Sequence, residues 1–307
     1  MRLYEHEQDS MSVSDGETSN NSSSSSESDT ETTPSETDTT SSETSNCLID
    51  IDFVELPKGP PPKKICLCSL DLTKRQAKIV EEAHMHKKKA TAILERIMGC
   101  PNTFFVALDV EKDEARGSLR LLQVGLDMVA TDESAAAGEG KRQIATTMRV
   151  PLQLVALGTE HIVNKWCPTD ANAFAHGTPT YSEETEILGL IHKILDCART
   201  TGNGVIVGHT LQSDVGWIEG RAKQLKELGL FSDDIDFSDI PMIDISILDR
   251  SLRGSYQSRK LAVIGSDLGV PFIGDPHNAG NDAVHTMECF KKLATQELGV
   301  RVYEQLL

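Results

Sequence analysis

The stretch FFVALDVE, residues 104–111, decides how the rest of the chain is interpreted. A short apolar run that ends in acidic residues predicts a buried β-strand carrying two carboxylates at its end. Side chains two residues apart on a strand point to the same side, so Asp109 and Glu111 are expected to share one face. Buried carboxylates are costly without a partner, and a divalent metal ion suits their oxygens. Two solvated loop acids are the alternative interpretation of this pair taken alone.

The sequence around this strand predicts an α/β domain that runs to the C-terminus. Further strands are expected at residues 119–129, 159–166, 204–208 and 241–245. Helices are expected at residues 182–199, 214–229 and 279–297, and another over the stretch KLAVIGSDLGVPF. Strands that come first, followed by alternating helices and strands, are typical of a mixed sheet covered by helices.

A second acidic position follows the apolar run GVIVG, residues 204–208, which is typical of a strand buried in a parallel arrangement. Asp214 opens the next predicted helix. An acid at a helix N-terminus can act as a cap alone, because the helix dipole favours its charge. The strand also places Asp214 near the C-terminal edge of the sheet, where α/β proteins gather their ligands.

The stretch PHNAGND, residues 276–282, leads directly into the last predicted helix. His277 is expected on the loop and Asp282 in the first helical turn. An imidazole beside a metal-bound carboxylate can accept a proton from water near neutral pH. Taken alone, a loop histidine and an acid in a first turn are common and indicate no function.

The three stretches together resemble the motifs of DEDDh-type 3'-5' exonucleases, a family of the ribonuclease H-like superfamily. FVALDVE is similar to the first motif of that family, GHTLQSDVGWI to the second and HNAGNDAVHTMECF to the third. The His-x4-Asp spacing fits this type, whereas its sister type has tyrosine where this chain has Asn278. The resemblance covers residues 103–296. Its nearest form is a fungal branch with HNAGND as the third motif and an acidic disordered region before the domain.

The resemblance implies a ribonuclease H-like α/β fold with a five-stranded mixed sheet flanked by helices. It implies two Mg2+ or Mn2+ ions held by the four carboxylates Asp109, Glu111, Asp214 and Asp282. Such a pair of cations holds the attacking water and the leaving 3'-oxygen of an in-line displacement. His277 would deprotonate the water, and the products would be nucleoside 5'-monophosphates. The substrate would be RNA or DNA with a single-stranded 3' end.

Three further residues are candidate substrate-binding positions because they adjoin the motifs. Lys112 stands where many members of the family have threonine or a small residue that contacts the terminal 3'-hydroxyl group. Thr210 stands where many have asparagine, and His209 precedes it; a structural role is the alternative for His209. Trp217 and Phe272 are candidates for stacking on terminal bases, with core packing as the alternative for Trp217.

The N-terminal part of the chain has a different composition. Residues 1–60 hold 14 acidic and 2 basic side chains, so most of the net charge of −17 belongs to this region. Its Ser-, Thr- and acid-rich sequence lacks the apolar surface needed to offset the entropy of ordering, which predicts disorder followed by a Pro-rich linker. The segment 47–64 is a candidate docking peptide for a protein partner, and packing on the domain is the alternative.

A basic helical segment is predicted over residues 61–102, ahead of the exonuclease-like domain at 103–307. Thr73 has the character of an N-cap, and apolar residues recur at helical spacing from there to residue 97. The lysines and arginines of this segment would either contact a nucleic-acid backbone or form a solvated face.

Composition narrows the remaining classes of function. Seven cysteines, an odd number, no hydrophobic secretory signal and no apolar run of membrane-spanning length indicate a nuclear or cytoplasmic protein that does not enter a membrane. The function predicted is a phosphodiester hydrolase. The alternative is a catalytically weak nucleic-acid-binding module whose acidic tail regulates it through protein partners. The complete set of five site residues favours the enzyme.

Overall fold

The computed structural model describes residues 73–97, 100, 102–113, 120–131, 143–159, 162 and 170–304. The acidic region and linker predicted at 1–60, with the candidate docking segment 47–64, lie outside these described residues. None of the helices in the described ranges has both the length and the apolar character that crossing a lipid bilayer requires.

The described residues form one mixed β-sheet. Its strands are β1 Phe104–Lys112, β2 Leu121–Thr131, β3 Gln143–Ala156, β4 Thr180–Ser182, β5 Gly204–Gly208, β6 Met242–Asp244 and β7 Arg301–Glu304. They lie in the order β4-β3-β2-β1-β5-β6, and β7 pairs with β3. Strand β2 is antiparallel to β1 and β3, whereas β5 is parallel to both β1 and β6.

Helices cover both faces of this sheet, as the predicted α/β fold requires. The described helices are α1 Lys74–Ile97, α2 Glu184–Thr201, α3 Leu211–Glu227, α4 Ile245–Arg253, α5 Leu261–Leu268 and α6 Ala279–Glu297. Apolar side chains of α1, α4, α5 and α6 form a core on one face of the sheet. Those of α2 and α3 form a second core on the other face.

Strand β1 divides its side chains between the two cores. Phe105 and Ala107 lie in the core that contains α6, and Val106 lies in the core that contains α2 and α3. Because side chains alternate along a strand, the next positions on the α6 side are Asp109 and Glu111. The apolar part of the strand therefore fixes which face carries the two acids.

The sheet has two more strands than the five expected. Strands β4 and β7 contain three and four residues, too few for a recognisable alternation in the sequence. The third strand was expected at 159–166, and this is wrong: the strand is Gln143–Ala156, and Thr159 follows its end. Most of 160–166 lies outside the described residues.

Helix α1 belongs to the same core as the sheet. Thr73 caps it as predicted, because the N–H of Gln76 donates to Thr73 Oγ1 and the N–H of Thr73 donates to Gln76 Oε1. Ala90, Leu94 and Ile97 are buried against strands β1 and β5 and helices α4 and α6. The helix predicted to begin at Thr73 is present as Lys74–Ile97, and its apolar stripe is part of the main hydrophobic core. Residues 61–72 of the predicted basic segment lie outside the described residues.

Helix α6 reaches the sheet at a glycine. Gly125 of β2 lies directly opposite Asp109 of β1. A Cβ atom at position 125 would lie 1.7 Å from the carbonyl oxygen of Ala279, the first residue of α6. A residue without a side chain is needed where two backbones come this close. This contact sets how near the first turn of α6 lies to the end of β1.

We expect Gly125→Ala to lower the free energy of unfolding by about 1–3 kcal/mol or more, because the added methyl group meets helix backbone. Gly189→Ala is the matched control, since a Cβ atom there, in α2, meets no atom within 4 Å. Alanine should stabilise that helix by up to ~1 kcal/mol. Urea denaturation of both variants measures the difference. Equal midpoints for Gly125→Ala and the parent would show that the α6 contact does not hold the fold.

Candidate active site

Four carboxylates meet at one edge of the sheet. Asp109 and Glu111 lie on β1, Asp214 lies in the first turn of α3 after β5, and Asp282 lies in the first turn of α6. The carboxyl group of Asp109 is close enough to the other three to be repelled by each of them. The structure therefore brings together the four acids singled out in the sequence, which are up to 173 positions apart.

Two of these acids are buried, and Asp109 and Glu111 are partly buried. Asp214 and Asp282 are 8% and 7% exposed. Asp109 Oδ2 is buried and has no hydrogen-bond partner among the described residues. A buried carboxylate oxygen without a donor carries a large desolvation cost, which a cation would relieve.

Burial and mutual repulsion change how these acids titrate. Burial, with the negative charges of Asp282, Asp214 and Glu111, raises the pKa of Asp109 well above its usual range. Burial raises the pKa of Asp214 to about 7 although the ammonium group of Lys112 opposes it. It also raises the pKa of Asp282 to about 7, opposed by a backbone hydrogen bond from His277. A cation bound among these acids would therefore be stabilised, because it would offset their mutual repulsion.

The donor set fits a hard divalent cation. Glu111, His277 and Asp282 each place one ligand atom within 4.8 Å of the others. The unpartnered oxygen of Asp109 adjoins this group. Oxygen-rich sets of this kind select Mg2+ or Mn2+ over softer metals. The residues present therefore fit the metals that the sequence motifs implied.

His277 lies over the carboxylates with its ring half exposed. Its Nδ1 is 3.9 Å from Glu111 Oε1, and its backbone N–H donates to Asp282 Oδ2 at 2.8 Å. Its φ angle is +63°, in the left-handed region. This region costs a residue with a Cβ atom about 1–2 kcal/mol, and such outliers persist where the surrounding structure imposes them. The loop holds the imidazole at the solvent side of the acids.

Asp244 fixes the turn that precedes Asp214. Its carboxylate accepts hydrogen bonds from the N–H groups of Thr210 and Leu211, at 3.3 and 3.0 Å, and it also caps α4. Its own N–H donates to His86 Nε2 of α1 at 3.0 Å. Sequence reasoning missed Asp244, although an acid just before a helix is a recognisable N-cap.

The candidate substrate-binding residues have different surroundings. Lys112 lies close enough to Asp214 to lower the pKa of its carboxyl group. Thr210 is exposed at the start of α3 with a φ angle of +59°. His209 Nε2 lies 2.8 Å from the carbonyl oxygen of Arg259, so its ring supports the neighbouring loop, in line with the structural alternative.

The two aromatic residues suggested for base stacking are packing residues in the structure. Trp217 is half-buried against the core that contains α2 and α3, in agreement with the alternative given for it. The ring of Phe272 packs on the other core, with its centroid 4.5 Å from that of His285. Phe272 is only partly buried by this packing, and its stacking on a base stays a prediction.

Without divalent cations, the free energy of unfolding should fall as the pH rises through about 7. The pKa values of Asp109, Asp214 and Asp282 lie above that of an unfolded aspartate, about 3.9, so the folded state binds more protons between these values. Raising the pH removes those protons and leaves buried charges that repel one another. Urea unfolding in EDTA at pH 6 and pH 8 measures this change.

Two additions make that measurement specific to the site. Mg2+ at pH 8 should restore the lost stability, and Asp214→Asn combined with Asp282→Asn should flatten the metal-free pH dependence. A metal-free midpoint that rises between pH 6 and pH 8 would contradict the electrostatic account.

A family model described as "DEDDh_C: DNA polymerase III subunit epsilon-like, C-terminal domain" matches residues 104–293, more than half of the chain. The chain belongs to this family. The matched range of the DEDDh domain begins with β1 and ends within α6. It contains Asp109, Glu111, Asp214, His277 and Asp282.

Twenty-four solved chains also match the DEDDh protein. One is described as "Structure of S. pombe Pop2p - Mg2+ and Mn2+ bound form"; it is 14% identical with a TM-score of 0.33, over 73% of this chain and 92% of that chain. Another is described as "Crystallographic structure of the nuclease domain of 3'hExo, a DEDDh family member, bound to rAMP"; it is 12% identical with a TM-score of 0.35, over 67% of this chain and 98% of that chain. Comparison with curated proteins gives no match.

Proposed function

We propose that this DEDDh domain is a metal-dependent 3'-5' exonuclease that releases nucleoside 5'-monophosphates from nucleic acid. The observation that carries the proposal is the buried, unpartnered oxygen of Asp109 within a group of four acids beside His277. Buried acids that repel one another cost stability, so their presence together is explained by the cation they hold. Membership of the DEDDh family supports the same chemistry.

Asp109, Glu111, Asp214 and Asp282 would hold two Mg2+ or Mn2+ ions. When bound, such cations supply positive charge to the developing charges of phosphodiester hydrolysis and activate water as the nucleophile. The carboxylates are placed by regular secondary structure, because two lie on one strand and two in first helical turns.

His277 is proposed as the general base. Its ring is half exposed and its Nδ1 faces Glu111, so it can accept a proton from water at the solvent side of the acids. The backbone N–H of His277 donates to Asp282, which couples the position of the base to a metal-holding residue.

The substrate proposed is a nucleic acid with a single-stranded 3' end, RNA or DNA. Lys112 would attract a phosphate group, because its ammonium group is close enough to the site to affect the pKa of Asp214. Thr210 is exposed at the start of α3 and would contact the terminal nucleotide. His209, whose ring bonds to the carbonyl oxygen of Arg259, would hold this turn in place beside the nucleotide. The HNAGND form of the third motif supports a place in a fungal branch of the family.

The direction and products of hydrolysis test this function. Single strands of RNA and DNA, labelled at the 5' or the 3' end, are incubated with Mg2+, Mn2+ or EDTA. A 3' label should appear at once as a mononucleotide, a 5' label as a shrinking ladder, and EDTA should stop both. Internal cleavage, release from the 5' end or binding without hydrolysis would overturn the proposal. The last result would favour a nucleic-acid-binding module.

A further inference from the structure

Asn281 lies at the centre of a hydrogen-bond network beside the His277 loop, residues 274–277. The side chain is completely buried, as is that of Asn278. Its Nδ2 donates to the carbonyl oxygen of Asp275 at 3.2 Å and to that of Ala173 at 2.9 Å. Its Oδ1 accepts from the N–H of Ala175 at 2.9 Å. One side chain therefore joins two backbone segments that are distant in the sequence.

The second of these segments is residues 170–177, which follows β3. Further contacts tie it to the start of α6: Asn278 Nδ2 donates to the carbonyl oxygen of Asp170 at 3.2 Å. A Cβ atom at Gly280 would lie 2.7 Å from the ring of Phe174. The 170–177 segment is thus packed onto the turn that carries Asp282, without contributing an acid to the site.

The His277 loop is tightly packed on the same side. A Cβ atom at Gly274 would lie 2.4 Å from Asn281 Nδ2, and the φ angle there is +87°. At the other end of the loop, His277 itself has a left-handed backbone. A strained conformation persists only when its neighbours impose it, and the hydrogen bond from Asn281 to Asp275 is one such restraint.

We propose that Asn281 is a positioning residue that holds the 170–177 segment and the His277 loop as one unit, so that the imidazole stays over the carboxylates. It acts through His277 and does not contact the reacting atoms. The inference rests on the proposed function, in which His277 is the base. Small displacements of a catalytic group cost large factors in rate, so the position of this loop controls turnover.

The first experiment needs neither metal nor substrate. Hydrogen exchange of the full chain, followed by mass spectrometry, compares the parent with Asn281→Ala. Peptides from 170–177 and 274–277 should lose protection together, while those of α2 stay unchanged. Asn172→Ala is the matched control, because Asn172 lies in the same segment but is exposed and, among the described residues, bonds to Asp170 and Tyr181 alone. Unchanged exchange in both segments would overturn the proposal.

The second experiment is a double-mutant cycle in the exonuclease assay. Asn281→Ala should lower kcat by about 10–100-fold in the parent, but by less than about twofold when His277→Ala is already present. Mn2+ affinity should stay within about threefold. If the fold-reductions in kcat caused by the two single substitutions multiply in the double variant, Asn281 acts independently of His277, and the proposal is overturned.

Two outcomes need separate treatment. If Asn281→Ala does not fold, Asn281→Ser replaces it, because serine is uncharged and its single hydroxyl group cannot donate to both Ala173 and Asp275. If the parent does not hydrolyse nucleic acid, the proposed function fails, and the exchange experiment alone decides whether Asn281 joins the two segments.

Discussion

Asp109→Ala is expected to abolish metal-dependent hydrolysis while the protein stays folded. The carboxyl group of Asp109 is buried beside three other acids, and one of its oxygens has no hydrogen-bond partner among the described residues. Removing it takes away a proposed metal ligand and also a repulsive charge, so the metal-free protein should lose no stability at pH 8. Glu111→Ala should have the same effect on hydrolysis.

Calorimetric titration with Mn2+ and a single-strand hydrolysis assay measure the two effects. Asp233→Ala is the control, because it removes a partly buried acid from the loop after α3, outside the group of four carboxylates. Asp109→Asn tests the effect of the charge alone, because the asparagine side chain has nearly the same volume as aspartate. Full activity in Asp109→Ala would refute the metal-site assignment.

His277→Ala is expected to lower kcat by about 10²–10⁴-fold, the usual contribution of a positioned general base. Mn2+ binding should persist, because the four carboxylates that would hold the metal are intact. His277 also lies within 4.8 Å of Glu111 and Asp282, so a role as a metal ligand is the competing explanation. A large fall in Mn2+ affinity would favour that explanation.

Activity across pH 6–9 distinguishes these roles. The kcat of His277→Ala should stay below that of the parent at every pH in this range. His192→Ala is the control, because His192 lies on α2, whose core is on the other face of the sheet. A variant that matches the parent over the whole pH range would exclude His277 as the base.

The acids of the site were predictable from the sequence because each depends on a local pattern. The alternation along FFVALDVE places Asp109 and Glu111 on one face, and the strand GVIVG places Asp214 at the correct edge. The order of the three motifs, which resembles that of the family, then placed these acids in one site with His277 and Asp282. None of these inferences required knowing which strands are neighbours.

The supporting contacts could not be predicted because they depend on packing between distant elements. Asn281 bonds to Ala173, 108 positions away, and Gly125 is required only because α6 crosses β2 at that point. Strand β3 was misplaced for a related reason. Gln153 is buried and bonds to Gln123, so a polar residue occupies a position where the pattern expects an apolar one.

Helix α1 shows that the folded domain begins before the range that matches the family. It ends before residue 104, where the match to the family begins, yet it supplies Leu94 and Ile97 to the core and His86 to Asp244. A fragment that begins at residue 104 would expose the apolar surface that α1 covers, and such a surface favours self-association. It would also remove His86, which accepts the hydrogen bond from the N–H of Asp244. The range that matches the family is therefore shorter than the folded domain, and fragments for expression should begin before Thr73.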